Sequence, residues 1–473
     1  MTFDLDVDVC IIGAGLAGLA TAREVARRGW SAAVIEANRV GWAASGRNAG
    51  IVLPGFSEDI DNIVERVGLD HAKQLWALSE AGVDYVRDAI RDAAMAGIDP
   101  VDGWLKVSKT AGDRATLTYA ERMRWIGAHV EAWGVEQVRS VLPSNRYFSA
   151  VNFPQAFHIH ALNYMLGLAA AAEAAGARIF ENTPAISIDP AGVRKRVQTQ
   201  SAMVRAGHVV LAGNVHLGSL MTRLSATLLP VTTYTLVSEP IPQLCEVIRY
   251  AGAVSDGARG ANHFRIVGGD RLLWSGRVTT WQARPARFVR RLKAGIRRIF
   301  PQLGKVEAAY AWSGTLGRAV HRMPQIGEIQ RGLWVASAFA GHGINTTAMA
   351  GELLARGIVD GDQTWRLFAP YELVWAGGRL GRAAAQTVYA GSRPVAAVRE
   401  ALSRYRERAR NRAQERAALR RKPRPQGLEP SPIKAAAKMK EPSQRSVTAR
   451  DRTPRKRRRK YRDRAEQSAG SES

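Results

Sequence analysis

The chain has 473 residues, which exceeds the usual length of one compact domain, and 46% of them are hydrophobic, which excludes global disorder. Its formal net charge is +26, and its two cysteines, Cys10 and Cys245, lie far apart in the sequence and in no metal-like spacing. Neither a disulfide framework nor a structural zinc site is therefore expected.

The chain opens with a strand–helix–strand pattern. Its first ten residues, MTFDLDVDVC, lack the basic and apolar stretches of a signal peptide, and no later segment has the pattern of a membrane span, so a cytoplasmic location is expected. The apolar run VDVCII at 7–12 predicts a buried parallel strand. A helix is predicted from there to Arg28, with Gly29 as its stop, and a second strand at 31–37. This is the start of a βαβ unit.

The turn between the first strand and the helix reads GAGLAG, which is G-x-G-x-x-G with Gly13, Gly15 and Gly18. Gly13 permits the tight turn, Gly15 lets the backbone approach a pyrophosphate, and Gly18 lets the helix pack closely. The helix N-terminus offers N–H groups and a positive dipole end to phosphates. Glu36, at the end of the second strand, is predicted to accept hydrogen bonds from ribose hydroxyls, and its charge disfavours NADP. The motif alone leaves NAD and FAD both open.

Further elements follow the same patterns along the chain. Residues 59–132 are mainly helical in pattern, and the later elements are a helix at 162–176, strands at 178–188 and 208–212, sheet at 231–238 and 272–275, a basic amphipathic helix at 285–300, a strand at 333–338 and a helix at 345–356. A last helix is predicted at 393–421, because Val395, Val398, Leu402 and Tyr405 recur at helical spacing.

The C-terminal segment is strongly basic. Residues 401–473 hold 24 Lys and Arg against 8 Asp and Glu, and beyond Lys422 the chain is rich in Pro, Ser, Lys and Arg. Such a segment cannot bury enough apolar surface to offset its chain entropy, so 422–473 is predicted to be a disordered basic tail. It is suited to weak contact with polyanions or an anionic membrane, and the alternative is a solvated extension without a specific partner.

Four sequence words carry a family resemblance: SGRNAG, FHIHALNYMLGLAAAAEAAGA, WSGTLGRAVHRMPQIG and GHGINTTAMAG. With them, about residues 6–360 resemble the glycine oxidase and sarcosine oxidase family of D-amino-acid-oxidase-like flavoproteins, and most of all its polyamine-type member. The resemblance implies FAD as cofactor and hydride transfer from a C–N carbon to flavin N5. Hydrolysis of the imine and reoxidation by oxygen or another electron acceptor would complete the reaction. The FAD is expected to be non-covalent, because position 48 is Asn and neither cysteine lies in a matching motif.

The resemblance also implies an α/β fold with two domains. A discontinuous Rossmann-type FAD-binding domain is expected from 1–60, 150–220 and 310–375, and an α+β substrate domain with a mainly antiparallel sheet from 61–149 and 221–309. A helical extension at 376–421 and the basic tail at 422–473 would follow.

The candidate site residues come from the glycine motif and from the family words. The expected cofactor-binding residues are Gly13, Gly15, Gly18, Glu36, Ser45, Gly46, Arg47, Asn48, Gly341, His342, Gly343, Asn345 and Thr346. The catalytic candidates are Arg47, His342 and Arg277. A helix N-terminus at Gly343 and Asn345 would stabilise negative charge on reduced flavin. Alternatively, Arg47 is a residue of a surface loop without a role in catalysis. The alternative for His342 is that its side chain forms hydrogen bonds with the backbone of the turn.

The substrate class is predicted from one position at which this chain differs from the amino-acid-oxidising members of the family. The resemblance implies an Arg for the substrate carboxylate in amino-acid-oxidising members where this chain has Leu316, while Arg318 and Arg322 follow two and six residues later. An amine or polyamine derivative is therefore expected. The alternatives are glycine, sarcosine or a D-amino acid, with Arg277 or Arg265 as the clamp, and a non-catalytic flavin-binding scaffold. No metal-ligand spacing recurs. His158 and His160 either approach the active site or cap and pack a helix.

Overall fold

The computed structural model describes residues 1–257 and 262–421. Its strands are β1 Leu5–Ile12, β2 Ala32–Ile35, β3 Ile51–Val52, β4 Val101–Ser108, β5 Glu131–Trp133, β6 Ser149–His158, β7 Arg178–Phe180, β8 Ser187–Asp189, β9 Lys195–Gln198, β10 Met203–Leu211, β11 Leu229–Ser238, β12 Ala253–Asp256, β13 Asn262–Val267, β14 Arg271–Thr279, β15 Ala308–Arg318, β16 Gln325–Gln330 and β17 Leu333–Ser337. Its helices are α1 Leu16–Arg27, α2 Ile60–Val67, α3 Leu69–Asp92, α4 Arg114–Trp125, α5 Val135–Val141, α6 Ala161–Ala174, α7 Thr222–Ser225, α8 Leu244–Val247, α9 Ala286–Ile299, α10 Gly343–Ala355 and α11 Gly378–Arg421. The predicted disordered tail at 422–473 lies outside the described residues.

The first sheet is built around β1. Its order is β16-β17-β10-β1-β2-β7, and β1 pairs in parallel with β10 on one side and with β2 on the other. Both faces of β1 are buried: Val9 and Ile11 lie in one apolar cluster with α1, while Cys10 and Ile12 lie in another. A strand that is covered on both faces needs a continuous apolar sequence, as VDVCII has. The predicted parallel α/β core is confirmed.

The second sheet is mainly antiparallel, as predicted. Its order is β15-β11-β14-β13-β12-β4-β6-β3, with β5 paired to β6, and β12 and β4 form its parallel pair. Helix α9 buries Phe288, Leu292 and Ile296 in the same cluster as Trp274 and Phe264 of this sheet. The other face of α9 carries its basic residues, which gives the helix the amphipathic character that its sequence indicates. Both sheets fall in one compact unit, Met1–Glu415, so the division into two domains stays a prediction.

The prediction of a mainly helical stretch at 59–132 is wrong in part. The structure has α2, α3 and α4 there, but also β4 and β5. Strand β4 is held between β6 and β12, and partners that lie far along the chain decide its conformation. Gly103 on β4 has a φ of +98°, which breaks the regular alternation that marks a strand in sequence. Strand β6 was also not predicted.

The C-terminal helix α11 begins earlier than predicted and packs on the second sheet. It starts at Gly378 rather than at Arg393. The backbone N–H of Thr280 donates to Gln386 Oε1 at 3.1 Å, and the Thr280 hydroxyl donates to the carbonyl of Arg382 at 3.2 Å. Further along, Glu407 pairs with Arg139 at 2.8 Å. None of the helices within the described ranges combines the length and the apolar character that a membrane crossing requires.

Candidate active site

The glycine turn after β1 is too crowded for side chains. Gly13 has a φ of +110°, and a Cβ there would lie 3.1 Å from the carbonyl of Ala212. A Cβ on Gly18 would lie 2.0 Å from the carbonyl oxygen of Gly13, so α1 can pack this closely on the turn only with glycine at that position. A Cβ on Gly15 would lie 3.1 Å from Ser45 Oγ. The sequence folds here into a bare backbone cradle at the start of α1.

Glu36 stands beside this cradle. Its Oε2 accepts the backbone N–H of Ala14 at 2.9 Å, and its Oε1 accepts that of Asn38 at 2.9 Å. The first N–H groups of α1 have no partner within the helix, and that of Leu16 donates to Ser45 Oγ at 3.1 Å. Exposed backbone N–H groups suit a pyrophosphate, and an adjacent carboxylate suits a ribose diol. The residues present therefore fit a dinucleotide cofactor.

The loop that contains Ser45, Gly46, Arg47 and Asn48 lies next to the cradle and borders a cavity. The Oδ1 of Asn48 accepts the N–H of Gly50 at 2.8 Å, and its Nδ2 donates to the carbonyl of Ser45, so this side chain shapes the loop. The exposed Arg47 donates from Nε to the carbonyl of Trp42 at 2.7 Å. Arg47 is thus an exposed loop residue that also lines the cavity.

Arg265 holds this loop against the end of β6, and it does not line the cavity. It is 7% exposed, and it donates to the carbonyls of Ala49 and Ile159, both at 2.8 Å, and to His158 Nδ1 at 3.1 Å. The suggestion that Arg265 clamps a substrate carboxylate is wrong, because its guanidinium is already committed to these acceptors. Burial lowers the pKa of Arg265 to about 10.

The two histidines of FHIH serve the fold. Since arginine is only a donor, the Nδ1 of His158 is unprotonated, and its Nε2–H donates to the carbonyl of Ala251 at 3.1 Å. Burial, reinforced by the charge of Arg265, lowers the pKa of His158 to about 4. His160 caps α6, accepting the N–H of Asn163 at 3.2 Å.

The start of α10 forms the opposite wall of the cavity. Gly341, His342 and Gly343 line it, and the N–H of Gly341 donates to Ser57 Oγ at 2.9 Å. Among the described atoms, His342 Nδ1 has no hydrogen-bond partner, so it is an orphaned polar atom at the cavity wall. Burial, together with the positive charge of Lys106, lowers the pKa of His342 to about 4.

Asn345 and Thr346 are close to this wall, but their side chains turn away from the cavity. The Asn345 amide donates to the carbonyl of Ser79 on α3 at 3.2 Å. The Thr346 hydroxyl donates to the carbonyl of His342. Only their backbone, in the first turn of α10, is left to act on a cofactor.

The cavity has a volume of about 400 Å³ and lies between these two loops and strands β11, β14 and β15 of the second sheet. Its polar lining includes Arg47, Asn48, Asn214, His263, Arg318, Arg322, His342 and Tyr389, and none of the described lining residues is Asp or Glu. Leu316 also lines it. Arg277 lies on β14, and its side chain lies outside the described part of the chain.

His263 and Tyr389 are lining residues that sequence reasoning missed. His263 Nδ1 is hydrogen-bonded to Ser255 Oγ at 2.7 Å. The same oxygen accepts the indole N–H of Trp104 at 2.7 Å. Burial lowers the pKa of His263. Neither residue stands in a recognisable motif: His263 is brought in by the pairing of β13 with β12, and Tyr389 by the docking of α11.

Known proteins resemble this chain in sequence and in fold. Residues 8–356 match the family described as FAD dependent oxidoreductase. Gamma-glutamylputrescine oxidoreductase of Escherichia coli (strain K12) is 30% identical over 356 residues, which are 74% of this chain and 82% of that protein. A probable oxidoreductase of Haemophilus influenzae, OrdL, is 28% identical over 370 residues, 76% of this chain and 85% of that one.

The solved structure of glycine oxidase from Geobacillus kaustophilus has the same fold. It superimposes with a TM-score of 0.65 at 24% sequence identity, over 78% of this chain and 99% of that chain. The resemblance that the four sequence words indicated is thereby confirmed, and the cofactor is FAD rather than NAD. This chain is an enzyme that belongs to the family of FAD-dependent oxidoreductases.

Proposed function

We propose that this enzyme oxidises a C–N bond of an amine or polyamine derivative, which leaves an imine for hydrolysis. The observation that carries the proposal is Leu316, an apolar side chain on the cavity wall at the position where the resemblance implies the carboxylate clamp of an amino-acid oxidase. The relative from Escherichia coli, whose name specifies a glutamylated polyamine, supports the same substrate class.

The cofactor would be held by the cradle and by both loops. Gly13, Gly15 and the start of α1 would bind its pyrophosphate, and Glu36 its ribose. The loop of Ser45, Gly46, Arg47 and Asn48 and the turn of Gly341, His342 and Gly343 would flank its ring, with the N-terminus of α10, including the backbone of Asn345 and Thr346, directed at it. When bound, FAD supplies the acceptor for the hydride. Nothing at position 48 can tether it covalently, so we infer non-covalent binding.

The residues of the chain would prepare the amine for this reaction. Hydride leaves readily from the carbon of a neutral amine, whose nitrogen lone pair stabilises the developing cation. Positive charge on Arg47, Arg318 and Arg322 disfavours an ammonium ion in the cavity. With its pKa lowered to about 4, His342 stays neutral at pH 7 and adds no charge of its own. The apolar side chains of Leu53, Val231, Leu316 and Phe339 lower the polarity of the same space, which further disfavours the charged form of the amine.

Arg47, His342 and Arg277 remain the catalytic candidates of this proposal. Of these, Arg47 and His342 line the cavity, and the orphaned Nδ1 of His342 is available to a ligand. His263 joins them on structural grounds. Its ring lines the cavity, and its Nδ1 is hydrogen-bonded to Ser255 Oγ at 2.7 Å, which fixes the orientation of the imidazole.

An amino acid is the second candidate substrate. The three cavity arginines favour it, since a carboxylate is the usual partner of a guanidinium. Against it stands Leu316, an apolar side chain where the resemblance implies the carboxylate clamp.

Anaerobic reduction of the bound flavin tests the proposal. Primary and secondary amines, polyamine derivatives, glycine, sarcosine and D-amino acids are each mixed with the holoenzyme, and bleaching is followed near ~450 nm, the oxidised-flavin band. The expected result is faster bleaching by an amine or polyamine derivative than by any of the simple amino acids. Faster bleaching by glycine, sarcosine or a D-amino acid contradicts the proposal, and bleaching by no compound favours a non-catalytic scaffold.

A further inference from the structure

The C-terminal helix α11 takes part in the substrate cavity. The family match ends at residue 356, and α11 begins at Gly378, so the helix lies beyond the matched region. Its Tyr389 nevertheless lines the cavity. Tyr389 is 7% exposed, and it packs in one cluster with Leu229, Val231 and Val278 of the second sheet.

Tyr389 holds an arginine at the cavity wall. Arg318 Nη1 donates to the Tyr389 hydroxyl oxygen at 2.6 Å, and the guanidinium carbon lies 5.5 Å from the centre of the ring. Because that oxygen accepts from arginine, the hydroxyl proton is directed elsewhere and can be donated to a ligand. The pair therefore offers a guanidinium and an O–H donor side by side, which suits the two oxygens of a carboxylate.

The surrounding lining agrees with an anionic ligand group. Arg322 also lines the cavity, 3.8 Å from the carboxylate of Glu58, and no described lining residue is acidic. The charged side chains of the described lining are positive, so they repel a cation and attract a carboxylate.

Strand β15 runs along the cavity from the loop of Arg47 to the wall that holds Arg318. Gly314, Leu316 and Arg318 all line the cavity, as residues two apart on a strand share a face. Gly314 lies against the loop, since a Cβ there would be 3.5 Å from Arg47 Cβ. At about 3.3 Å of rise per residue, Arg318 lies roughly 13 Å along the strand from Gly314. The apolar Leu316 stands between the two.

We propose that Tyr389 and Arg318 form a subsite for a carboxylate, and that the substrate is an amine that carries this carboxylate several carbons away from the reacting C–N bond. Tyr389 is a specificity-determining residue supplied by the appended helix. The part of the inference that concerns the amine rests on the proposed function, while the carboxylate subsite stands on the contacts of Tyr389 and Arg318.

Binding of a non-oxidisable probe tests the subsite directly. Hexanoate and its neutral isostere hexanamide are titrated into the holoenzyme by calorimetry, for the wild type, Tyr389→Phe and Arg318→Leu. Tyr389→Phe is expected to raise the Kd of hexanoate about tenfold or more, the usual effect of losing one hydrogen bond to a charged group. Arg318→Leu should raise it further, and the Kd of hexanamide should not change. Tyr405→Phe is the matched control, because Tyr405 is on the same helix and 72% exposed.

A substrate series tests the proposed distance between the carboxylate and the reacting C–N bond. The ω-amino carboxylates from glycine to 6-aminohexanoate are compared with hexylamine for kcat/KM, and the longer carboxylates are expected to be the better substrates. Equal Kd values for hexanoate in the wild type and Tyr389→Phe would overturn the subsite. If the subsite binds hexanoate as expected but no amine bleaches the flavin, the amine-oxidation proposal fails and the subsite stands. If amines bleach the flavin but neither a carboxylate on the substrate nor the Tyr389→Phe substitution changes kcat/KM or the Kd of hexanoate, the subsite proposal is wrong and the amine-oxidation proposal stands.

Discussion

Glu36 combines two tasks at the residue scale. Its carboxylate fixes the backbone at Ala14 and Asn38, and in our proposal it also binds the cofactor ribose. Glu36→Ala removes a charged acceptor, so we expect FAD binding to weaken by about 1.5–3 kcal/mol. The measurement is the Kd for FAD, from the quenching of flavin fluorescence on adding apoprotein.

The matched control for this substitution is Glu173→Ala, which changes an exposed residue of α6. It should leave the Kd for FAD as in the wild type. An unchanged Kd in Glu36→Ala as well would show that the ribose lies elsewhere.

His158 makes stability depend on pH. Its pKa is about 4 in the folded protein and about 6.5 when unfolded, so the unfolded chain binds more protons between these values. Its contribution is complete above about pH 6.5 and is lost as the pH falls to about 4, by up to about 3 kcal/mol. We therefore expect the free energy of unfolding to decrease less between pH 7 and 4.5 in His158→Gln than in the wild type. Urea denaturation at several pH values measures it.

His160→Gln serves as the comparison, because His160 is an exposed helix cap. Its pH profile should run parallel to that of the wild type. A parallel profile for His158→Gln too would mean that another group dominates the acid response.

Candidate site residues could be predicted from sequence where the local backbone conformation depends on a short stretch of chain. Gly13, Gly18 and Glu36 belong to this kind, because a tight turn and a strand end can be recognised locally. Arg265 was misjudged, since nothing in its neighbours reveals that it donates to Ala49, more than two hundred residues earlier. His263 and Tyr389 were missed for the same reason: only tertiary pairing brings them to the cavity.

At the scale of the element, the contact between α1 and its turn is the tightest constraint on the cradle. Gly18→Ala would bring a methyl group to 2.0 Å from the carbonyl oxygen of Gly13, so the helix has to shift. We expect loss of stability by about 1–3 kcal/mol, the usual range for overpacking, together with weaker FAD binding. Thermal unfolding with and without added FAD measures both effects.

Gly391→Ala is the corresponding control within a helix. A Cβ at Gly391 meets nothing within 4 Å, so this variant should be as stable as the wild type or more stable by about 0.5–1 kcal/mol. Normal FAD binding in Gly18→Ala would contradict the assignment of the cradle.

The accuracy of the sequence prediction differed among the helices and strands. The βαβ start, α9 and α10 have strong periodicity and proved to be near their predicted positions. Strands β4, β5 and β6 were not predicted, since neighbours far along the chain stabilise them. Helix α11 was predicted too short because its first part, with Gly381 and many alanines, has no clear apolar stripe.

At the scale of the whole molecule, we expect FAD to dissociate when the protein unfolds. No His or Cys occupies the loop at 45–48, and in the described residues Cys10 is buried in β1, while Cys245 lies on α8. Acid precipitation of the yellow holoenzyme should leave the flavin in the supernatant, as absorbance will show. Flavin retained in the washed pellet would contradict non-covalent binding.

Deletion of 422–473 should leave the flavin content and turnover unchanged. Contacts that hold α11 on the rest of the protein lie before this point, at Arg382, Gln386, Tyr389 and Glu407. The deletion removes much of the chain's positive charge, so the truncated protein should elute from heparin at lower salt than the full chain. Equal elution would assign the polyanion affinity to residues 1–421, and loss of flavin would show that the tail supports the fold.

The pairing of β1 also has a consequence for how the protein is made. Leu5 pairs with Val204, and α1 packs against α10, which ends at Ala355. At about 5–20 residues per second, the ribosome adds α10 roughly 17 to 70 s after β1. Strand β10, which begins at Met203, follows β1 by roughly 10 to 40 s at the same rate, and until then the apolar strand β1 has no partner on that side. Unpaired strands of this kind aggregate. The cofactor cradle is therefore assembled late in synthesis, and the nascent chain depends on protection until then.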